Sequence, residues 1–506
     1  MQSQVLFVLR TIAIALSVVQ VPGIVALADA GVSERIDQLM QEYHSTRHFH
    51  GAVLVAEDGK IIYSKAFGLA SIEDSIPNTL TTRFGLASVS KQFTSMLVLQ
   101  LVEEGKLSLD GTVTNYLPDY PGEPGDRITI HHLLTHTSGI YQDSPTVGTR
   151  ASRRLEDHSR DELMEYFKDH ELLFKPSEGF QYTNFNYNLL AIIAEAVTSK
   201  SYEELLQQRI FDPLGMKNTC VGAKSGPGSV AATGYDYDFL GDPRRVDFTH
   251  ESVAIGAGDL YSTVEDLFLW DQALYSDKLL SERYRKMMFT SHTGVGYAYG
   301  WQVGKYATND SGDSVTAIYH DGGAEGAQCC IYRFVEDRRL FIVLSNHREP
   351  WIHIRLSRPK EDMAPNIMRA LYGGEYKLPG RSAAYELALA AEDSGAGVIG
   401  AEYEKLGRSS SDDYTFDADE FYNVGLSYLW RSESQKALEF LKIAVDDLGV
   451  DHLGYAWQCH AVYGEAAVRC KQFDMAIRIL ERSLQLKPGN PSAAYWLGMA
   501  KMLKQN

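Results

Sequence analysis

Phe84-Gly85-Leu86-Ala87-Ser88-Val89-Ser90-Lys91 runs into Gln92-Phe93-Thr94-Ser95-Met96-Leu97-Val98-Leu99-Gln100-Leu101-Val102-Glu103-Glu104-Gly105, and this stretch decides how the chain folds. Phe93, Met96, Leu97, Val98, Leu99, Leu101 and Val102 cover nearly every face of a helix, the pattern of a helix enclosed by a core. Gly105 stands where a helix C-terminal glycine belongs, and Leu107-Ser-Leu-Asp110 then leads away in extended form. At the other end, Ser88 and Lys91 lie one turn apart on one face. Serine at its free pKa is a poor nucleophile, and a neutral lysine amine beside it can take its proton. Desolvation and the positive helix N-terminus both disfavour an ammonium at that place. Ser-x-x-Lys alone is common and usually means a capping serine with a solvated lysine. Its position at the head of an apolar helix gives it weight.

Working outward, Gly51-Ala-Val-Leu-Val-Ala56, Asp58-Gly59 and Ile61-Ile-Tyr-Ser64 read as two strands joined at a tight turn, preceded by a helix over about Val32 to Tyr43. Far downstream, Ser314 to Tyr319, Gln328 to Phe334 and Leu340 to Leu344 read as strands, while the region between is rich in helix signals. The simplest arrangement is an α+β fold: one antiparallel sheet made from both ends of the domain, flanked by helices, with a helical insertion between.

Two further groups of residues can carry chemistry. Phe180-Gln-Tyr182-Thr-Asn184 follows Pro176-Ser-Glu-Gly179 and precedes a helix expected near Asn188. His320-Asp-Gly322-Gly323 ends a strand, where glycine leaves room for a substrate along the edge. Leu133-Leu-Thr-His136-Thr-Ser-Gly139 and Gly256-Ala-Gly-Asp-Leu-Tyr-Ser-Thr263 read as structural, the latter leading into a helix with Ser262 and Glu265 at capping-box spacing.

These five elements, in this order, resemble the penicillin-recognising serine hydrolases: the class C β-lactamases and their esterase and D-peptidase relatives. The resemblance covers the domain expected at residues 31–378. It implies that Ser88 is the nucleophile and Lys91 its first proton acceptor. It also implies that Tyr182, with phenolate character favoured by the lysine, is general base for acylation. It assigns substrate contacts to Asn184, His320 and Gly322, and an oxyanion hole to the Ser88 and Gly323 amides. His320 stands where many relatives have lysine, which removes a permanent cation and favours a small ester or peptide-like amide substrate. No metal or organic cofactor is implied.

Other chemistries fit less well. His132 and His136 are four apart with His131 adjacent, yet Leu133 occupies the position of the base in His-Glu-x-x-His zinc enzymes. No Gly-x-Ser-x-Gly turn of an α/β-hydrolase occurs. A different reading makes the hydrolase fold a weak sensor or scaffold whose tail binds a protein partner.

That tail begins where strand signals vanish, after about Pro379. Gly425 is followed by Ala437 and Leu441, and Gly464 by Ala476 and Leu480, at offsets of 12 and 16 in both cases. Gly498 follows Gly464 by the 34 residues of a tetratricopeptide repeat. The expectation is a helical linker over 379–415 and an all-α, tetratricopeptide-like helical-hairpin domain over 416–506, open to a protein partner, with oligomeric state undetermined. Arg10, the apolar run from Thr11 to Val25 and the small residues of Ala26-Leu27-Ala28 read as a signal peptide over residues 1–30 and an exported protein.

Lys and Arg number 48 against 66 Asp and Glu, so the net charge of −18 repels phosphate backbones and makes nucleic acid an unsuitable partner. The 5 cysteines form no disulfide framework. Cys459 and Cys470 either pair or stay as free thiols.

Overall fold

The computed structural model describes residues 31–505 apart from 48, 121, 142–154, 169–170, 224–229, 238–239, 241–242, 248, 349–362, 377 and 409–413. The residues read as a signal peptide, 1–30, lie outside those described.

Asp58 and Gly59 both adopt left-handed backbone, with φ of 50° and 72°. A two-residue hairpin turn needs that geometry to match strand twist. β1 (Gly51–Glu57) therefore folds back on β2 (Lys60–Phe67). The other edge of β1 pairs with a strand from the far end of the domain. After β3 (Gln302–Ala307), β4 (Ser314–Ala324) and β5 (Ala327–Phe334), β6 (Arg339–Ser345) lies antiparallel to β1 with Gly51 opposite Ser345. The antiparallel sheet has the order β3-β4-β5-β6-β1-β2, built from both ends as the sequence predicts.

Helices flank it, among them α1 (Val32–Arg47), α2 (Lys91–Glu103), α3 (Asn184–Thr198), α4 (Val264–Ala273) and α5 (Ala364–Leu371). Side chains alternate across a strand. Val53 and Val55 thus pack with Ile36 and Leu39 of α1 and Ile367 of α5. Ala52, Leu54 and Ala56 face the opposite core, with α2, α3 and α4. Cover on both faces explains the unbroken apolar run in β1.

Every residue of α2 from Lys91 to Leu101 is buried, including Gln92, Thr94 and Ser95. Gln92 is held by an indole N–H from Trp270 of α4 at 3.0 Å. Gly105, at φ 72°, ends the helix as expected, and the Lys106 amide reaches back to the Leu101 carbonyl at 2.9 Å.

Boundaries near the site differ from the sequence reading. The helix does not start at Ser88: Ala87, at φ 43°, forces a tight 3-10 turn over Ala87–Ser90 before the α-helix begins at Lys91. α3 starts at Asn184, not near Asn188, because the Thr183 hydroxyl caps it by accepting from the Phe185 amide. α4 is capped by Thr263, which accepts from the Asp266 amide at 3.2 Å. Ser262 ends a short strand, and its hydroxyl pairs with Thr219 at 2.7 Å.

The tail has its own core. α6 (Ala383–Ser394) and α7 (Ile399–Arg408) precede α8 (Ala418–Trp430), α9 (Ser434–Lys442), α10 (Ala456–Arg469), α11 (Phe473–Leu486) and α12 (Pro491–Gln505). A Cβ at Gly425 would stand 2.6 Å from Leu441 Cγ, and one at Gly464 only 2.4 Å from Leu480 Cγ. Those glycines let paired helices touch, which is the physical content of the repeated offset. The stretch expected as a linker is helical, but Ala384, Leu387, Ala391 and Ile399 are buried in this same core. It is a packed hairpin, fastened by the Ser382 hydroxyl donating to the buried Glu420 carboxylate at 2.6 Å.

All five cysteines are free thiols. Among the described residues, no helix is long and apolar enough to cross a membrane.

Candidate active site

The 3-10 turn and the first turn of α2 place Ser88 partly open to solvent and Lys91 fully buried beneath it. The Lys91 amine has three acceptors around it: Ser88 Oγ at 3.0 Å, Asn184 Oδ1 at 2.8 Å and the Ala257 carbonyl at 2.7 Å. Three hydrogen bonds suit an ammonium, but the amine is fully buried. Burial pushes the Lys91 pKa down to about 7, against the opposing pull of the Asp259 and Asp321 carboxylates. Near neutral pH the amine is thus divided between its two forms, and the neutral form has a lone pair to offer Ser88.

Asp259 sits on the segment that supplies the Ala257 carbonyl. Its carboxylate is buried, neither oxygen makes a hydrogen bond, and burial pushes its pKa up to about 7 despite nearby backbone amides and Lys91. The segment is fixed against the Ser88 turn: the Leu260 amide donates to Ser90 Oγ at 3.1 Å, and the Leu86 amide to the Leu260 carbonyl at 2.8 Å.

Tyr182 joins this group. Lys91 Nζ is 5.0 Å from the centroid of its ring, and its hydroxyl is buried without a hydrogen-bond partner, close enough to Ser88 for that hydroxyl to favour ionisation. Burial outweighs this and pushes the phenol upward. The phenolate expected from the lysine's charge is therefore opposed by desolvation, and Tyr182 stands as a neutral phenol.

The strand edge completes the site. A Cβ at Gly322 would stand 2.3 Å from the Leu86 carbonyl oxygen, 2.6 Å from Cys329 Sγ and 3.2 Å from the Ser88 amide nitrogen. Gly322 is thus the contact surface between β4 and the nucleophile turn, not a surface for substrate. Gly323, the next residue, is exposed and has nothing within 4 Å of its Cβ position, so the open side of the edge is there. His320 is only 2% exposed. Its ring nitrogens face the Tyr297 hydroxyl at 3.2 Å and the Asp321 carbonyl at 2.6 Å. A ring so covered offers a ligand almost no surface, and the direct contact expected of His320 gives way to a supporting one.

Of the sequence-predicted residues, Ser88, Lys91, Tyr182, Asn184, Gly322 and Gly323 converge. The sequence reading missed the Ala257 carbonyl, Asp259, His136 and Tyr297. A run of small residues, Gly256-Ala-Gly, signals close backbone approach, and Tyr297-Ala-Tyr299-Gly-Trp301 signals an aromatic wall. Neither signal says what is approached. His132 and His136 diverge: the His132 ring engages the Thr129 amide and Ser177.

A desolvated amine touching a serine hydroxyl at a helix head, beside a glycine-lined strand edge, defines a serine acyl-transfer centre. A family profile described as Beta-lactamase matches residues 36–358, and the chain belongs to this family of serine hydrolases. A penicillin-binding protein of Bacillus subtilis (strain 168) is 29% identical over 371 residues, covering 69% of this chain and 78% of its own length. The octameric penicillin-binding protein homologue of Pyrococcus abyssi superposes with a TM-score of 0.58 at 26% identity, covering 71% of this chain and 81% of that one. A D-stereospecific amidohydrolase of Streptomyces sp. does so with a TM-score of 0.53 at 25% identity, covering 62% and 94%.

Proposed function

We propose that the chain hydrolyses a small ester or a peptide-like amide, with D-residues accepted, through a covalent acyl-enzyme on Ser88. The observation that carries this is the buried Lys91 amine 3.0 Å from the Ser88 hydroxyl. Neutral Lys91 takes the Ser88 proton as Oγ attacks the acyl carbon. The oxyanion is held by the Ser88 and Gly323 amides. As the intermediate collapses, Tyr182, a phenol here, passes a proton to the departing alcohol or amine. A water then repeats the steps in reverse order of groups and frees the acid. Asn184, in the first turn of α3, orients both the amine and the acyl-side amide or ester of the substrate. No step draws on a metal or organic cofactor.

Two features support this substrate class. The cation that would hold a substrate carboxylate is replaced by the covered His320, and the Streptomyces protein similar to this chain is described as D-stereospecific. We further read the tail as tetratricopeptide-like, an extension that packs as three hairpins and a last helix and offers a protein partner a surface. The leader-like residues 1–30 support export to the periplasm or medium.

The test runs the purified chain in parallel on a nitrophenyl acetate ester, a D-alanyl amide and a chromogenic cephalosporin, with Ser88→Ala as control. Turnover of ester or amide that Ser88→Ala abolishes, with folding intact by circular dichroism, is the expected result. Activity retained in that variant refutes the role of Ser88. Absence of turnover and of fluorophosphonate labelling in the native chain favours the scaffold reading.

A further inference from the structure

Behind Tyr182 lies a chain of buried polar groups that the acyl-transfer steps do not use. His136 Nε2 is 3.2 Å from the Tyr297 hydroxyl, which is 3.2 Å from His320 Nε2 on its other side. One phenol stands between two imidazoles and has a single proton to give. Which way the chain runs is decided at its ends.

At the His136 end, two donors point at Nδ1: the Thr183 backbone amide at 3.3 Å and the Asn186 side-chain amide at 3.1 Å. The orientation of Asn186 agrees with this. Its Oδ1 accepts from Ser138 Oγ at 2.7 Å, and that hydroxyl in turn accepts from the Ile140 amide at 3.1 Å. A backbone N–H can only donate, so His136 Nδ1 carries the lone pair and Nε2 carries the proton. His136 therefore donates to Tyr297. Burial drives its pKa well below the usual histidine range, with Lys91 and His320 adding to the effect, so the ring is neutral. At the other end, His320 Nδ1 lies 2.6 Å from the Asp321 carbonyl oxygen, which can only accept, so Nδ1 carries the proton. His320 is 2% exposed, and burial of that degree disfavours the charged ring; the neutral ring presents a lone pair at Nε2, and Tyr297 can donate to it. Tyr187 also borders Tyr297: its own proton goes to the Leu134 carbonyl at 3.0 Å, which leaves its oxygen as a rival acceptor for the Tyr297 proton.

We propose that Tyr297 is a positioning residue: it closes a one-way hydrogen-bond chain from the Thr183 amide, through His136 and His320, to the Asp321 carbonyl, and so fixes the Tyr182 loop relative to the strand edge that carries Gly323. The proposal rests on the acyl-transfer reading for its catalytic consequence and on the structure alone for its proton pattern. The ends of the chain are the residues next in sequence to the groups that matter. Thr183 follows Tyr182, and the Tyr182 ring lies on His136 with centroids 4.3 Å apart. Asp321 precedes Gly322, which packs on the Ser88 turn. Tyr182 and the oxyanion donor Gly323 come from sequence segments more than a hundred residues apart, and three buried side chains set the separation between them.

Neutron diffraction from crystals of the full chain exchanged into deuterated water reads the pattern directly. Deuterium is expected on His136 Nε2, on Tyr297 Oη toward His320, and on His320 Nδ1. Deuterium on His136 Nδ1, on His320 Nε2, or on Tyr297 Oη toward Tyr187 overturns the assignment. In parallel, Tyr297→Phe keeps the ring and removes the link. On whichever ester or amide the native chain turns over, kcat is expected to fall about tenfold to a hundredfold, with KM changed less than about threefold, because placement and not binding is lost. His320→Ala severs the same chain one step on and is expected to show the same split. A kcat within about twofold of native in both variants overturns the positioning role. Should the native chain show no turnover and no phosphonate labelling, the acyl-transfer reading fails, while the deuterium pattern still decides the chain.

Discussion

Adjacent glycines at the strand edge should respond in opposite ways to the same added methyl. In Gly322→Ala the new Cβ would stand 2.3 Å from the Leu86 carbonyl oxygen and 2.6 Å from Cys329 Sγ. An ordinary carbon to oxygen contact is about 3.2 Å or more, so β4 and the Ser88 turn must part by about 1 Å. Overpacking of this kind costs about 1–3 kcal/mol of stability, which a folded domain survives. A displacement of that size at a reacting centre costs on the order of a hundredfold in rate. Gly323→Ala meets nothing within 4 Å and has no left-handed backbone to strain, so its fold and its phosphonate labelling should stay near native, with any loss confined to bulky substrates. The assay is the second-order rate of fluorophosphonate labelling of Ser88 in both variants, with thermal unfolding alongside. Gly322→Ala/Cys329→Ala relieves the sulfur contact but not the carbonyl, and should recover little. Full labelling of Gly322→Ala, or full rescue by the double variant, would refute the claim that β4 sets the nucleophile turn through the Leu86 carbonyl.

Labelling should also depend on pH through Lys91. Its pKa lies at about 7, below the usual lysine value, and the neutral form accepts the proton. The rate should therefore fall about tenfold per unit below that midpoint and level off above it, and a profile flat from pH 5 to 9 would contradict the assignment. A third expectation concerns Arg333 and Asp271, an ion pair in which both side chains are 1% exposed, packed among Tyr275, Phe289 and Trp301. Asp271→Ala strands a buried cation and should cost about 3–5 kcal/mol, whereas Asp271→Leu/Arg333→Met should lie near native. Hydrogen exchange of the β5 amides measures both, and a single variant more stable than the double would count against the argument.

The parts of the molecule that rest on short-range chemistry were open to a reader of the sequence. Asp58-Gly59 declares its turn because its backbone conformation excludes most other residues. Ser88 and Lys91 declare their proximity because helical spacing guarantees it. The glycine at offset 16 from a leucine declares a helix contact because nothing larger fits. What stayed hidden depends on long-range packing. The Ala257 carbonyl reaches Lys91 from 166 residues away, and a carbonyl leaves no mark in a sequence. Tyr297 reads as one more core aromatic until its two histidine neighbours are in place. The family resemblance gave His320 a substrate contact, yet the ring is buried and faces inward. The helices at 383–408 passed for a linker since they lack the glycine period, although their alanines, with Leu387 and Ile399, join the core.

The pairing of Gly51 with Ser345 has a bearing on how the molecule is made. During synthesis β1 has its hairpin partner at once, but its second neighbour emerges only after the whole helical insertion. Until then a long apolar strand keeps one side unpaired, and the housing for the Ser88 helix is incomplete. Closure of so distant a contact is slow and leaves the nascent polypeptide open to association. The hydrolytic centre assembles only once the last strand has docked.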